Sequence, residues 1–253
     1  MSSVSKIEWT EATWNPVTGC RKVSPACKNC YAETFANRFR GIKGHPYEQG
    51  FLVKLWYERL HLPLTWRKPR FVFVNSMSDL FLSDVPDTFI ESAFHTMSKA
   101  HWHTYQVLTK RAERMFEWTT RNYTRQTWPR NVWLGVSIET SAFLDRADFL
   151  SSTPAHTKFI SFEPLLDRID FANGILKAID WVIVGGESGP KARRMRAEWV
   201  GSIYEECKKL SVPFFFKQWG TFDSRGRRVG KKKAGRRYLG RQWNRMPQHS
   251  TTP

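Results

Sequence analysis

Three cysteines near the start of the chain, Cys20, Cys27 and Cys30, are spaced as ligands of a metal or a cluster. Six residues separate the first two, and two residues separate the second and third. Three thiolates on one short loop can hold an iron–sulfur cube and leave one iron open to another molecule. A structural zinc site usually has four ligands, and His45 or Cys207 would have to complete it. The residues leave three interpretations open: an iron–sulfur cluster, which the ligand count favours, a zinc site, and thiols that bind no metal.

The expected cellular compartment supports metal or redox chemistry at these cysteines. The chain begins Met-Ser-Ser-Val-Ser-Lys, without an apolar signal segment, so we expect a cytoplasmic protein. Disulfides are uncommon in that compartment, and clustered cysteines there indicate metal binding or catalysis. No apolar run approaches the length of a membrane helix, so we expect no membrane partner. The fourth cysteine, Cys207, lies in a helix-like stretch and is expected to be a small buried core residue.

Strand-like and helix-like segments alternate along the chain. Short, nearly continuous apolar runs predict strands near 7–14 and at 70–75, 104–109, 131–137, 157–162, 180–185 and 212–217. Helical spacing of apolar residues is found at 31–40, 86–100, 110–118, 140–150 and 197–210. This alternation predicts βα units around a parallel sheet. We therefore predict an α/β protein with a full or partial (β/α) barrel over residues 1–220, and a doubly wound sheet is the alternative.

Polar residues follow six of the predicted strands, at the end where (β/α) barrels build their active sites. Three carboxylates, Glu139, Glu163 and Glu187, follow successive strands. One such glutamate alone is as well explained by a helix cap or a solvent contact. Polar residues after six strands predict a shared polar site instead.

A basic, glycine-interrupted tail is expected at residues 221–253. From residue 223 onward there are ten Lys or Arg residues and one acid, which is over half of the formal net charge of +17. Dense cations favour backbone phosphates, and aromatic faces stack on bases, so we expect a nucleic-acid partner, DNA or RNA. The alternative is a disordered tail that aids solubility. The predicted contacts are Lys191, Arg193, Arg194, Arg196, Lys231, Lys232, Lys233, Arg236, Arg237 and Trp243.

A cysteine loop after the first strand of a (β/α) barrel resembles the radical S-adenosylmethionine superfamily. Several segments are more closely similar to a phage-encoded three-cysteine-motif family of long-unassigned function. They are Glu8-Trp-Thr, Trp14-Asn-Pro-Val-Thr-Gly-Cys20, Cys27-Lys-Asn-Cys30-Tyr-Ala, Ser161-Phe-Glu-Pro-Leu, Gly185-Gly-Glu-Ser-Gly-Pro and Phe215-Phe-Lys-Gln-Trp-Gly. The resemblance implies a 4Fe–4S cluster on Cys20, Cys27 and Cys30, with S-adenosylmethionine on the open iron and a 5′-deoxyadenosyl radical as its product.

The sequence departs from the superfamily pattern in two places. The common spacing is C-x3-C-x2-C with an aromatic residue before the third cysteine, whereas Asn29 stands there and Tyr31 follows. The superfamily's Gly-Gly-Glu comes after the second strand, whereas Glu187 comes late, so Glu187 is not assigned its amine contact. By position, the resemblance implies S-adenosylmethionine contacts at Tyr31, Asn75, Ser76, Asp79, Ser137 and Glu139.

The first functional hypothesis is a radical S-adenosylmethionine enzyme that repairs or modifies bases in nucleic acid and receives electrons from an external donor. In it, Lys110, Glu163, Glu187 and Gln218 face the substrate as catalytic residues. A second hypothesis keeps this chemistry but acts on a nucleotide or a protein partner. A third is a metal-stabilised nucleic-acid-binding module without catalysis. The polar strand ends favour an enzyme, and the basic tail favours nucleic acid.

Overall fold

A computed structural model describes residues 5–171 and 174–248. By internal contacts the chain forms two compact units, one of residues 1–136 and 152–156 and the other of residues 137–151 and 157–253. Within the described ranges, no helix combines the length and the apolar content needed to cross a lipid bilayer.

The first unit holds the cysteines and the first strands of the sheet. Its elements are β1 (Ala12–Trp14), β2 (Val17–Thr18), α1 (Tyr31–Asn37), β3 (Lys54–Leu55), β4 (Phe71–Val74), α2 (Asp87–Lys99), β5 (Thr104–Thr109), α3 (Ala112–Asn122) and β6 (Val132–Ser137), whose last residue belongs to the second unit. Single 3-10 turns occupy Pro25–Asn29, Tyr57–Arg59 and Leu62–Thr65.

The second unit continues the alternation of helices and strands. Its elements are α4 (Asp145–Ser151), β7 (Lys158–Phe162), β8 (Trp181–Gly185), α5 (Ala197–Lys209), β9 (Phe214–Gln218) and the short α6 (Lys231–Ala234), with a 3-10 turn at Ser141–Phe143. Every residue of β7 and β8 is buried, which explains why these strands read as continuous apolar runs in the sequence.

Seven strands form one sheet in the order β1-β4-β5-β6-β7-β8-β9. The pairings from β1 to β6 are parallel in the first unit, and those from β7 to β9 are parallel in the second. Because this order follows the chain and runs from β1 at one end to β9 at the other, the fold is a partial (β/α) barrel, as predicted. The strands β2 and β3 pair separately as an antiparallel ribbon.

The two longest helices, α2 and α5, each bury one apolar face. In α2, Phe89, Ala93, Phe94 and Met97 are buried, and this spacing of three and four residues defines a single helix face. In α5, Cys207 lies on the buried face and is 1% exposed. Burial raises the pKa of the Cys207 thiol to about 12, so this cysteine is the inert core residue expected from the sequence.

Residues 221–248, the C-terminal extension, return to β9 and pack against it. The amide of Phe216 donates to the carbonyl of Trp243 at 3.0 Å, and Phe215 forms an antiparallel bridge with Asn244. Trp243 is 6% exposed, and its ring centroid lies 4.6 Å from that of Tyr204. Trp243 therefore anchors this basic segment to β9 and to α5.

Candidate functional site

The cysteine loop (residues 19–31) is hydrogen-bonded to the β4 loop (residues 75–79) within the first unit. The amide of Gly19 donates to the carbonyl of Met77 at 3.1 Å. In return, the hydroxyl of Ser78 donates to the carbonyl of Gly19 at 2.6 Å. The first cysteine is therefore held beside the end of β4, the second strand of the sheet.

Two further contacts complete this attachment. The Tyr31 hydroxyl donates to the carbonyl of Ser76 at 2.5 Å. Asn15, which follows β1, accepts from the Met77 amide at 2.9 Å and from the Ser76 hydroxyl at 3.2 Å through its Oδ1 atom. Asn15 belongs to a segment that carries the family resemblance, but no feature of that segment predicts this role.

Gly19 lets the backbone of the cysteine loop lie closer to the backbone of Leu52 than any residue with a side chain would permit. Its φ is +81°, and a Cβ atom at this position would lie 2.1 Å from the carbonyl oxygen of Leu52. A side chain here would meet both the left-handed strain and a fixed backbone group. The glycine before Cys20 is therefore required by the path of the loop.

The three cysteines are free and half-buried. Burial, followed by the charge of Asp79, raises the pKa of Cys20 to about 11. Burial also raises the pKa of Cys30, although the amides of Glu33 and Ala32 act in the opposite direction. The Cys20 and Cys30 thiols are protonated in neutral solution, and coordination of a metal would release their protons.

Asp79 connects β4, β5 and the cysteine loop. This buried carboxylate accepts from the Thr109 hydroxyl at 2.7 Å, the Lys110 amide at 3.0 Å and Nη1 of Arg111 at 2.8 Å. The same guanidinium donates from Nη2 to the sulfur of Cys20 at 3.6 Å. Arg111 received no role from the sequence, although it stands directly after two polar residues at the end of β5.

The predicted cofactor residues of the first unit lie around this attachment. Tyr31, Ser76 and Asp79 make the contacts described above, and Lys110 acts electrostatically on the thiol of Cys30. Asn75, which is 2% exposed, adopts a φ of +59°. Its Oδ1 accepts from the Val17 amide, while its Nδ2 has no hydrogen-bond partner among the described residues.

The three thiols can be compared with the ligand sets of a single metal ion and of a cluster. Thiolates that share one zinc ion lie within about 4 Å of one another, since each Zn–S bond is about 2.3 Å long. Among residues 5–171 and 174–248, no three His, Cys, Asp or Glu side chains are grouped closely enough to hold a single ion. A 4Fe–4S cluster with one open iron takes three protein thiolates, which is the number of cysteines on this loop.

In the second unit, each of the three predicted carboxylates is paired with a cation. Glu163 accepts from Lys217 at 2.5 Å, and both side chains are less than a fifth exposed. The pair lies against Gly185, where a Cβ atom would come within 3.1 Å of the carboxylate. Glu187 accepts from the amide of Arg193 at 2.7 Å and from its guanidinium at 2.9 and 2.5 Å. The acids predicted from the sequence therefore stand in ion pairs.

The third carboxylate, Glu139, is completely buried. Its Oε2 accepts from Arg146 at 3.0 Å, and Arg146 also donates to the carbonyl of Ser137 at 2.6 Å. Its Oε1 has no partner among the described residues, and neither does the hydroxyl of Ser161. Buried polar atoms without partners are uncommon because they cost desolvation energy, so they mark this strand end as a place for a ligand group.

Gln218, the last predicted catalytic residue, closes β9. Its Nε2 donates to the carbonyl of Gly186 at 3.3 Å and to the Ser188 hydroxyl at 3.2 Å. Its Oε1 has no partner among the described residues. Gly186 approaches β9 so closely that a Cβ atom would lie 2.0 Å from the carbonyl oxygen of Trp219.

The two basic segments of the sequence meet in the second unit. The guanidinium of Arg194 packs against Gly226, so closely that a Cβ atom on this glycine would lie 2.0 Å from Cζ of Arg194. The same guanidinium donates to the carbonyl of Arg225. Arg228 donates back to the carbonyl of Ala192 at 3.4 Å. The exposed cations of this basic surface are Lys191, Arg194, Arg196, Arg225, Arg227, Arg228, Lys231, Lys232, Lys233 and Arg237.

Three predicted nucleic-acid contacts have other partners. Arg193 is held by Glu187, and Arg236 donates to the side chain of Asn244. Trp243 is covered by Arg241, whose guanidinium lies 3.6 Å from the ring centroid. Its indole nitrogen donates to the carbonyl of Tyr238 at 2.8 Å, so base stacking on Trp243 would require this packing to open.

Comparisons with known proteins match the chain to one family. The model of a family described as "Protein of unknown function (DUF5131)" matches residues 4–247. No curated protein matches the sequence. Solved structures of spore photoproduct lyase, one with a dinucleoside spore photoproduct and one a mutant with AdoMet and that dinucleoside, are 12% identical, with TM-scores of 0.44 and 0.43. The match covers 83% of this chain and 64% of theirs, so the chain spans less than two thirds of those structures.

Proposed function

This chain belongs to the DUF5131 family of proteins of unknown function, and we propose that it is a radical S-adenosylmethionine enzyme that acts on nucleic acid. The observation that carries the proposal is the cysteine loop, whose three half-buried thiols are held beside the end of β4. Membership of the phage-encoded three-cysteine-motif family stays a prediction from the sequence.

Cys20, Cys27 and Cys30 would hold a 4Fe–4S cluster. Their donor chemistry fits, since thiolates are the ligands that such clusters take, and three of them leave one iron without a protein ligand. When bound, this cluster supplies reductive cleavage of S-adenosylmethionine to a 5′-deoxyadenosyl radical, with the electron coming from an external donor. The hydrogen bonds of Ser78 and Tyr31 fix the loop on which the thiols stand, and Asn15 fixes the β4 loop that it contacts.

The residues of the first unit orient the cofactor. Asn75 carries a buried Nδ2 donor without a partner among the described residues, and we assign it a polar group of S-adenosylmethionine. Ser76 and Tyr31 stand beside it. Asp79 is assigned a positioning role, because its oxygens already accept hydrogen bonds from Thr109, Lys110 and Arg111.

In the second unit, the strand ends carry polar groups that we propose to contact a ligand. Oε1 of Glu139 is available to accept from a hydroxyl or an amine. The carbonyl of Ser137 accepts from Arg146, the residue that also binds the other oxygen of Glu139. The Glu163–Lys217 pair, at 2.5 Å, is close enough to pass a proton. Glu187 and Gln218 are the other residues of this unit that we propose to face substrate, and Lys110 keeps that proposed role within the first unit.

The basic surface of the second unit would bind the phosphates that carry the target base. Arg194 and Gly226 join the two cationic loops, so their positive charges act on one stretch of backbone. This arrangement favours nucleic acid over a free nucleotide, because a single nucleotide has too few phosphates for so many cations.

Anaerobic purification and reconstitution test the cluster. We expect a brown protein with four irons and four sulfides per chain, which releases 5′-deoxyadenosine when dithionite and S-adenosylmethionine are added. Cys27→Ala should lose both the iron and the product. Cys207→Ala is the matched control, since it removes a cysteine outside the loop. A colourless wild-type protein that contains zinc would refute the proposal.

Salt-dependent binding tests the nucleic-acid partner. Each lost phosphate contact should lower the slope of log K against log salt by about 0.7–0.9. We expect this decrease for Lys232→Ala/Lys233→Ala and not for Lys208→Ala/Lys209→Ala, which removes equal charge from the exposed side of α5. Nucleoside mass spectrometry of DNA and RNA from cells with and without the gene would then identify the modified base. Equal slopes for both double variants would argue against this surface.

A further inference from the structure

We infer that Arg111 is a positioning residue that holds Cys20 and raises the reduction potential of the proposed cluster. The inference rests on the proposed function, since it concerns the cluster assigned to the cysteine loop. It adds a role for a residue that ligates nothing and that no sequence motif marks.

The geometry gives Arg111 three anchoring points. Its Nη1 donates to Asp79 at 2.8 Å, and its Nη2 donates to the Cys20 sulfur at 3.6 Å and to the carbonyl of Arg21 at 2.8 Å. The side chain is 13% exposed. A guanidinium can do this because its donors lie in one rigid plane, whereas a lysine ammonium is a single point.

Asp79 fixes the guanidinium in this orientation. Besides Arg111, this carboxylate accepts from Thr109, Lys110 and the amide of Phe81, the last at 3.0 Å. A buried ion pair is rarely an efficient way to gain stability, because desolvation of both charges offsets their attraction. The Asp79–Arg111 pair is better explained by the side of the guanidinium that does not face Asp79. That side donates an N–H group to the sulfur of Cys20.

A positive N–H donor at a cluster sulfur stabilises the reduced state, which carries more negative charge. Removal of Arg111 takes away this hydrogen bond and leaves the negative charge of Asp79 unopposed nearby. Both effects lower the reduction potential. We expect about a tenfold loss in the ratio of reduced to oxidised cluster at a fixed potential, which is about 59 mV for a one-electron couple.

The test compares Arg111→Gln and Arg111→Lys with the wild-type holoprotein in dithionite titrations followed by EPR. Arg111→Gln should shift the potential to more negative values, and Arg111→Lys should fall between it and the wild type. Arg114→Gln is the matched control: Arg114 also pairs with an aspartate, Asp87, at 2.9 Å but does not contact a cysteine. It should lower the melting temperature and leave the potential unchanged.

A second measurement applies if Arg111→Gln does not take up a cluster. In the apoprotein, hydrogen exchange of peptides from residues 19–24 should be several-fold faster in Arg111→Gln than in the wild type or in Arg114→Gln. A wild-type protein without a cluster would refute the proposed function. A wild-type cluster whose potential is the same in Arg111→Gln would overturn the inference alone, and so would unchanged exchange in a variant without a cluster.

Discussion

Gly19→Ala should destabilise the cysteine loop much more than Gly41→Ala, and the comparison isolates one steric contact. The two glycines have nearly equal φ angles of +81° and +83°. A Cβ atom on Gly19 would lie 2.1 Å from the Leu52 carbonyl oxygen, whereas one on Gly41 would have no described residue within 4 Å apart from its chain neighbours. Both substitutions therefore introduce the same left-handed backbone strain, but only Gly19→Ala forces the Leu52 carbonyl to move.

The expected magnitudes follow from these two terms. Left-handed strain costs about 1–2 kcal/mol for a residue with a Cβ atom, so Gly41→Ala should lose about that much stability. The forced shift of backbone at Gly19 adds about 1–3 kcal/mol, for a total of about 2–5 kcal/mol. At this chain length each kcal/mol lowers the melting temperature by about 2–4 °C.

Calorimetry and iron analysis measure both consequences. Gly41→Ala should keep the iron content of the wild type, and Gly19→Ala should lose most of its iron because Cys20 follows the displaced residue. Equal melting temperatures for the two variants would refute the steric reasoning. A Gly19→Ala protein that is destabilised but fully loaded with iron would separate the loop path from cluster binding.

Three further predictions concern other parts of the molecule. Glu163→Gln should lower the free energy of unfolding by about 3 kcal/mol, because it leaves Lys217 without its buried charged partner. In denaturant titrations, the double variant with Lys217→Met should recover part of this loss. A double variant whose loss equals the sum of the two single losses would contradict the pairing. Trp243→Ala should cost about 3–5 kcal/mol by removing packing against Tyr204, while nucleic-acid affinity measured well below the melting temperature should stay near the wild-type value. Burial lowers the pKa of His103, so the unfolded chain gains a proton below about pH 6.5 that the folded chain resists. Stability should therefore fall as the pH drops through that value, and this fall should be smaller in His103→Asn.

Much of the fold follows from the sequence because parallel strands covered by helices have a simple signature. The run predicted at 104–109 is β5 itself, and the helix predicted at 197–210 is α5 within one residue. The first strand was less accurate: only Ala12–Trp14 of the predicted 7–14 pairs with the sheet. Its preceding residues form turns, which short apolar patterns do not separate from strands.

The sequence predicts where the candidate site lies better than it predicts which charged side chains pair there. The sequence indicated the cysteines and the carboxylates, because residue type and spacing mark them. It gave no indication of which cation pairs with which acid: Lys217 is 54 residues from Glu163, and Arg111 is 32 residues from Asp79. Such partners are chosen by strand order and side-chain direction, which only the folded chain determines.

The C-terminal extension packs against β9, and it also protects this last strand of the sheet. Strand β9 has one neighbour in the sheet, and its other side meets Trp243 and Asn244. An uncovered edge strand invites pairing with another chain. Removing residues 221–253 would expose Phe215 and Phe216 on such an edge, so a truncated protein is expected to self-associate. Loss of nucleic-acid binding after truncation would then report aggregation, and only charge substitutions that leave the edge covered measure the contribution of the basic surface.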